Sequence, residues 1–475
     1  MISISVFPNR PTSDTCNYAK SLFIAPRYCT LSELRLSSDS QNRLAPKTLR
    51  RQFSWTLPAN VLYGGCTFLI YVVLNKVGGP SVAGDYTAAL AATAPIFMCA
   101  NLRFSTMLAS DTSSTVFLAD YFKVRGLLLV GALATISLLL MTRGQSGIGM
   151  VVLLVALTKS VEAFSELCCG VQQCIERMDR IAFSLAANGL CIIIAFAGTF
   201  FITKNLTYAV LSMLFARLIV LFAYDIPIAR VASHQPRFQA EEDNRDRARL
   251  RMRSLLLAAA PLGITAALVS LTTNIPRYVI PIVFDREMLG IFGSCAVTLQ
   301  AGSLIFRAIE LPATPKLAQL IKQRDGRGFW RLQGKLCAMF VAMGLMGAIT
   351  CLAIGPQLLT IAYTALYASL GGVLALMALS TCVGQIAGLI ESSLIAARVI
   401  AVQVPMHCLT AVSCLVLCVV LIPAYHLYGA VLAVTICRIP FVLIGVWLLR
   451  QKLKQPVDEI GNKHDPVTET QRRAA

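Results

Sequence analysis

Lys159, Glu162 and Glu166 stand at i, i+3 and i+7, which puts three ionisable side chains on one face of a helix inside an otherwise apolar run. Two readings fit that face. Lys159 and Glu162 form an internal ion pair, or Glu162 or Glu166 faces a cavity and takes up a proton or sodium ion. Glu391, in Gly388-Leu389-Ile390-Glu391, and Glu310 beside Arg307 admit the same two readings. Guanidinium groups recur in this setting. Arg103, Arg217 and Arg307 lie four to six residues from one end of their apolar segments, where a long stem can also reach lipid headgroups. Arg277 stands in Asn274-Ile275-Pro276-Arg277-Tyr278, with Pro281 following. The prolines free backbone carbonyls that the arginine could satisfy, unless it faces a cavity. Arg438 lies mid-segment before Pro440, where a buried pair with an acid competes with a cavity role. Asn60, Asn188 and Gln385 add uncharged polar groups.

Each of these is a candidate because an ionisable group at mid-bilayer costs about 2.5 to 3.5 kcal/mol on insertion scales. The candidates for binding an anion are Arg103, Arg277, Arg307 and Arg438; those for ion coupling are Glu162, Glu166 and Glu391; those for polar lining are Asn60, Asn188 and Gln385. No enzymatic constellation competes with them. The chain has no Walker sequence, GxGxxG, GxSxG or HExxH, and its four histidines are scattered. The 16 cysteines include no CxxC pair, and nearly all from Cys66 to Cys437 fall in apolar stretches, so they read as core residues rather than metal ligands or disulfides. Neither a cofactor nor a metal is expected. The sequon Asn205-Leu206-Thr207 reads as incidental.

The elements that must position these groups follow from composition. Of 475 residues, 56% are hydrophobic and 14% charged, with a mean hydropathy of +0.68. A soluble domain is about 25% charged, so the chain is read as an all-α polytopic membrane protein. At about 20 apolar residues per crossing, about twelve segments between Trp55 and Leu449 qualify. The 42 Lys and Arg give their orientation. Thirty-two fall in the two tails and in alternate loops, six fall within the segments, and only Lys76, Arg143, Lys204 and Arg286 fall in the other loops. That bias predicts both termini in the cytoplasm. It also accounts for the net charge of +18, which removes the case for a nucleic-acid partner.

The predicted organisation is a cytoplasmic tail over residues 1–50, read as disordered, then a six-helix lobe over 51–227 and a cytoplasmic linker over 228–254. A second six-helix lobe follows over 255–450, and a tail over 451–475. The arginines between Arg245 and Arg253 suit a surface helix beside anionic headgroups. Residues 315–335 mix apolar and basic side chains around Gly326 and Gly328, which predicts an interfacial amphipathic segment. One internal similarity supports the two lobes. Gly84-Asp85-Tyr86 opens the second segment and Gly290-Ile291-Phe292 the eighth, each about one span after a proline, Pro58 or Pro261. Two six-helix halves in one orientation are a transporter architecture with a site between them.

Three stretches carry a family resemblance: Arg277-Tyr278-Val279-Ile280-Pro281, Leu289-Gly290-Ile291-Phe292-Gly293-Ser294, and Ile309-Glu310-Leu311-Pro312 through Pro315-Lys316-Leu317-Ala318. Through them the chain resembles the lipopolysaccharide and O-antigen flippase branch of the multidrug/oligosaccharidyl-lipid/polysaccharide (MOP) exporter superfamily. The likeness is strongest over residues 255–335, and the layout extends it over 55–450. It departs in the long polar tail and in a first span without the charged residue often found in relatives. The resemblance implies a MATE-like, V-shaped fold that alternates between inward-open and outward-open states in the inner (plasma) membrane. It implies a cargo of polyprenyl-pyrophosphate-linked oligosaccharide, membrane lipids as surroundings, and a polysaccharide polymerase and glycosyltransferases as partners. Arginine suits the pyrophosphate because its planar donors stay charged. The competing functions are flipping of a peptidoglycan lipid precursor, cation-coupled drug efflux, and a non-transporting scaffold for polysaccharide synthesis.

Overall fold

The computed structural model describes residues 49–110, 117–142, 147–233, 238, 245–397, 399 and 402–454. The tail over residues 1–48, the end from 455 on, and most of 234–244 lie outside the described residues. Every regular element among the described residues is helical. The first half holds α1 (Leu49–Val73), which runs on through a π turn (Leu74–Gly78), then α2 (Gly79–Asn101), the short α3 (Phe104–Ser110) and α4 (Leu118–Thr142). It continues with α5 (Gly149–Cys174), α6 (Met178–Thr203), α7 (Leu206–Val220), a second π turn (Leu221–Asp225) and α8 (Ile226–Ser233). The second half holds α9 (Arg245–Val283), α10 (Arg286–Lys322), α11 (Gly326–Ala353) and α12 (Gly355–Ala362). A 3-10 turn (Ala365–Leu370) leads to α13 (Gly371–Ala396), α14 (Gln403–Ile436) and α15 (Arg438–Lys454).

Among the described residues, eight helical stretches are long and apolar enough to cross a membrane, and three of them, of 47, 28 and 51 residues, take in more than one of these helices. α5 is not among the eight, because Lys159, Glu162 and Glu166 stand within every stretch of it long enough to cross. The outward surface explains what surrounds the bundle: Ile202, Ile282 and Met141 are 85%, 81% and 79% exposed, a cost in water that lipid removes.

Local chemistry sets the breaks. Asn205, Asp285 and Asp325 cap α7, α10 and α11 by accepting from the backbone N–H of Thr207, Met288 and Gly328 at 2.8–2.9 Å. Between α2 and α3, Leu102 and Arg103 both take left-handed backbone (φ 45° and 50°), which costs a non-glycine residue energy and ends the helix there. Residues 315–335 correct the expected interfacial segment. They form the end of α10, a turn, and the start of α11, and Leu317 and Phe329 are buried in a core with Phe306 and Phe340. The charges there decorate a packed helical hairpin rather than a helix lying flat.

Residues Arg50–Ala475 form one unit, because α2 packs along both α9 and α10 and joins the halves. The join is closest at one end of the bundle, where the two similar motifs meet. A methyl group on Gly84 would overlap the carbonyl oxygen of Arg286, and one on Gly290 would overlap that of Pro80, so only glycine lets these backbones approach. Asp85 and Arg286 pair across the same crossing at 2.8 Å. Just below, Asn75 donates to the Ser294 hydroxyl at 2.8 Å and accepts from the hydroxyl of Tyr367. At the opposite end, near Arg103, the halves also meet: Arg251 of α9 pairs with Asp120 of α4 at 3.0 Å, and Ala259 packs in one core with Leu102, Phe104 and Leu108.

Candidate functional site

Between the halves lies a cavity of about 410 Å³, within the range of small-molecule sites. Its charged wall comes from α5 and α7. Lys159 Nζ donates to Glu162 Oε2 at 2.8 Å, and Arg217 Nη2 lies 3.6 Å from the same oxygen. Arg217 also donates to the Tyr63 hydroxyl of α1 at 2.9 Å. On the facing half, Arg277 of α9 donates to Asn274 Oδ1 at 3.0 Å. Beside it, Thr273, Gln300, Ser303 and Thr381 provide uncharged polar lining. Three cations thus face one carboxylate. Arg217 Nε and Arg277 Nε are buried with no hydrogen-bond partner among the described residues.

Of the arginines marked in sequence as anion binders, Arg277 lines the cavity. Arg103 instead stands exposed at the α2–α3 break, off the cavity, within Coulombic reach of Glu391 and His407 in the other half. Arg438 also lies elsewhere: it packs over Gly384 and donates to the carbonyl of Ser380 at 3.4 Å, so a backbone oxygen takes the place of the expected acid. The side chain of Arg307 lies outside those described. Among the acids, Glu162 is on the cavity and held by both cations. Glu166 turns away and accepts from Ser105 (2.9 Å) and Asn101 (3.2 Å) beside the α2–α3 break. Glu391 sits 4.0 Å from His407 Nε2, and Glu310 accepts from Ser392 at 3.0 Å. The polar candidates are off the wall as well. Asn60 and Asn188 donate one turn back, to the carbonyls of Thr56 and Ser184, and Gln385 is half-buried on α13.

Three groups carry more than the sequence reading gave them. For Arg217 the reach to headgroups is one of two sequence readings; it is only 6% exposed, held inside the bundle by Tyr63 and Glu162. Arg125, read as a loop cation, is fully buried, donates to Asn101 (2.6 and 3.0 Å) and lies over the Phe104 ring. Asp225 escaped notice because the apolar run ends at Ala223, yet it is 4% exposed. A partial signal existed for Arg217, as a guanidinium within an apolar segment, but its place in the last turn of α7 also fits the headgroup reading. Nothing comparable marked Asp225.

No family model matches the chain. It is 25% identical over 388 residues to the capsular polysaccharide biosynthesis protein CapF of Staphylococcus aureus, covering 82% of this chain and 96% of that one. Among solved structures it is similar to the lipid II flippase MurJ in an inward closed conformation, with a TM-score of 0.63, 10% identity, and 83% and 88% of the chains covered. It is also similar to an inward-facing multidrug resistance MATE family transporter of the MOP superfamily (TM-score 0.60, 11% identity, 85% and 96% covered). A third is a MOP superfamily transporter from Pyrococcus furiosus described by a reversed polarity of its binding pocket (TM-score 0.58, 13% identity, 87% and 98% covered). The chain is a multi-pass membrane protein with the fold of transporters and flippases. More particularly, that fold is the one of the MOP exporter superfamily.

Proposed function

We propose that the protein is a flippase that carries a polyprenyl-pyrophosphate-linked oligosaccharide outward by alternating access, for surface polysaccharide. The cavity carries this reading: Lys159, Arg217 and Arg277 against Glu162 alone leave it net positive, and two buried guanidinium donors are unmatched. A pyrophosphate supplies such acceptors, and planar guanidinium groups meet it with paired hydrogen bonds. The capsule biosynthesis relative and the lipid II flippase neighbour support the substrate class. With the cation-rich end in the cytosol, the Gly84–Gly290 crossing closes the outer end. Net outward movement of anionic cargo is then favoured by a potential negative inside, at about 2.3 kcal/mol per charge per 100 mV. Drug efflux of cations is disfavoured by the same charge count, and a scaffold would have no use for it.

The test is translocation of lipid-linked oligosaccharide in reconstituted vesicles, normalised to folded protein. Arg277→Lys should reduce transport with folding intact, and Arg277→Ala should reduce it further. If both instead lower only the amount of folded protein, the arginine serves the carbonyls freed near Pro276 and Pro281. Wild-type transport by Arg277→Ala and by Arg217→Lys would sink the reading.

A further inference from the structure

We propose that Asp225 is a proton-binding site, separate from the cargo cavity. Asp225 closes the π turn after α7, an irregularity that leaves its carboxyl aimed between α5 and α6. Ser184 of α6 donates to one oxygen at 2.7 Å, and Ser165 of α5 donates to the other. Among the described residues, no Lys, Arg or His pairs with it. The groups nearest are Cys168 and Cys169 of α5, Arg180 of α6, and Tyr224 on its own turn. None of them supplies a counter-ion: Arg180 donates to Gln172 at 3.2 Å, and Tyr224 to the carbonyl of Arg180 at 3.3 Å. Glu166 and Asp179, farther out, are held by Ser105 with Asn101 and by Arg177.

Burial penalises the charged carboxylate while the two hydroxyls favour it, so this site can hold either protonation state. The adjoining void, about 10 Å³, has room for one water and nothing larger. A divalent cation is disfavoured by ligand number: the two carboxylate oxygens with Ser165 and Ser184 make four oxygens, fewer than the six or more that Mg2+ or Ca2+ takes. Hydronium can hand a proton to a carboxylate oxygen and leave as water. The new O–H then donates to the Ser184 oxygen, whose own hydrogen must turn away.

The same elements carry the cargo charges. Ser165 follows Glu162 by one turn of α5, and Asp225 follows Arg217 along α7 and its π turn. Protonation at Asp225 loosens the Ser165 tie between these elements and so acts on the Arg217–Glu162 pair. That effect on transport rests on the flippase reading, whereas the proton site does not, and the experiment below needs no cargo.

The full chain, reconstituted in phosphatidylcholine vesicles, is titrated by difference infrared spectroscopy. The wild type should show a carboxylic acid C=O band that rises on acidification and is missing in Asp225→Asn but kept in Glu166→Gln. Ser184→Ala, which removes a hydrogen bond to the charged form, should move the midpoint of that band to higher pH by about one to two units. If Asp225→Asn fails to fold, the Ser184→Ala shift alone decides. A band unchanged in Asp225→Asn, a midpoint unmoved in Ser184→Ala, or a wild-type carboxyl in one state across about pH 4 to pH 9 would each overturn the proposal.

Discussion

At Glu162 a single carboxylate holds two cations in place, and its removal separates two roles. Glu162→Gln keeps the shape and drops the charge, so Lys159 and Arg217 are left facing each other without a counter-ion. Breaking a buried pair in this way costs about 3 to 5 kcal/mol, reduced here because Lys159 and Glu162 are each about one-third accessible. The variant should therefore melt earlier in detergent while binding inorganic pyrophosphate more tightly, since the cavity has gained a positive charge. If Glu162 is instead a coupling carboxylate, stability and pyrophosphate affinity stay near wild type and only gradient-driven transport is lost. Thermal unfolding followed with and without pyrophosphate separates the two. The sequence exposed Glu162 and Lys159 through their spacing on one helix. It could not show Arg217 against them, because that contact joins helices 55 residues apart in a fold whose pairings spacing does not encode.

Among the elements, α2 and α10 depend on glycine where they cross. Gly84→Val or Gly290→Val places a branched side chain against backbone rather than a movable side chain, so the helices must separate. The expected result is a wider distance between spin labels at the Asp85 end and a shift away from the conformation described here, with the folded yield partly kept. An unchanged distance in both variants would show that the crossing yields locally and does not set the closure. The Asp85–Arg286 pair at the same place is partly exposed, and exposed pairs contribute about 0 to 1 kcal/mol. Asp85→Asn should accordingly shift the distance far less than Gly84→Val. The two glycine motifs were legible as a repeat, whereas their mutual contact was not. Residues 315–335 misled for a related reason: alternating apolar and basic side chains describe a helix half in water, and only the fold shows that its apolar face is met by Phe306 and Phe340 rather than by lipid.

For the whole molecule, the cation bias predicts that the linker around residue 240 and both tails are cytosolic. Reporter fusions at residue 240, or labelling of a single cysteine there in a variant lacking the native thiols, should report cytosolic access. Labelling from outside would reverse the assignment of both ends of the cavity. Composition sufficed for the class of fold, because lipid demands helices with apolar exteriors wherever the chain crosses. It could not reveal how firmly the halves are joined, since packing of α2 on α9 and α10 uses small and apolar residues that look the same in a lipid-facing helix.

Gly84 and Gly290 constrain each other. They occupy like places in two similar segments, and each is pressed against the other's helix. A contact in which one motif recognises its own copy is the kind that a twofold dimer makes. A side chain at either glycine would meet backbone of the other helix, so a substitution at one position is limited by the helix that carries the other, as it would be across a self-paired seam.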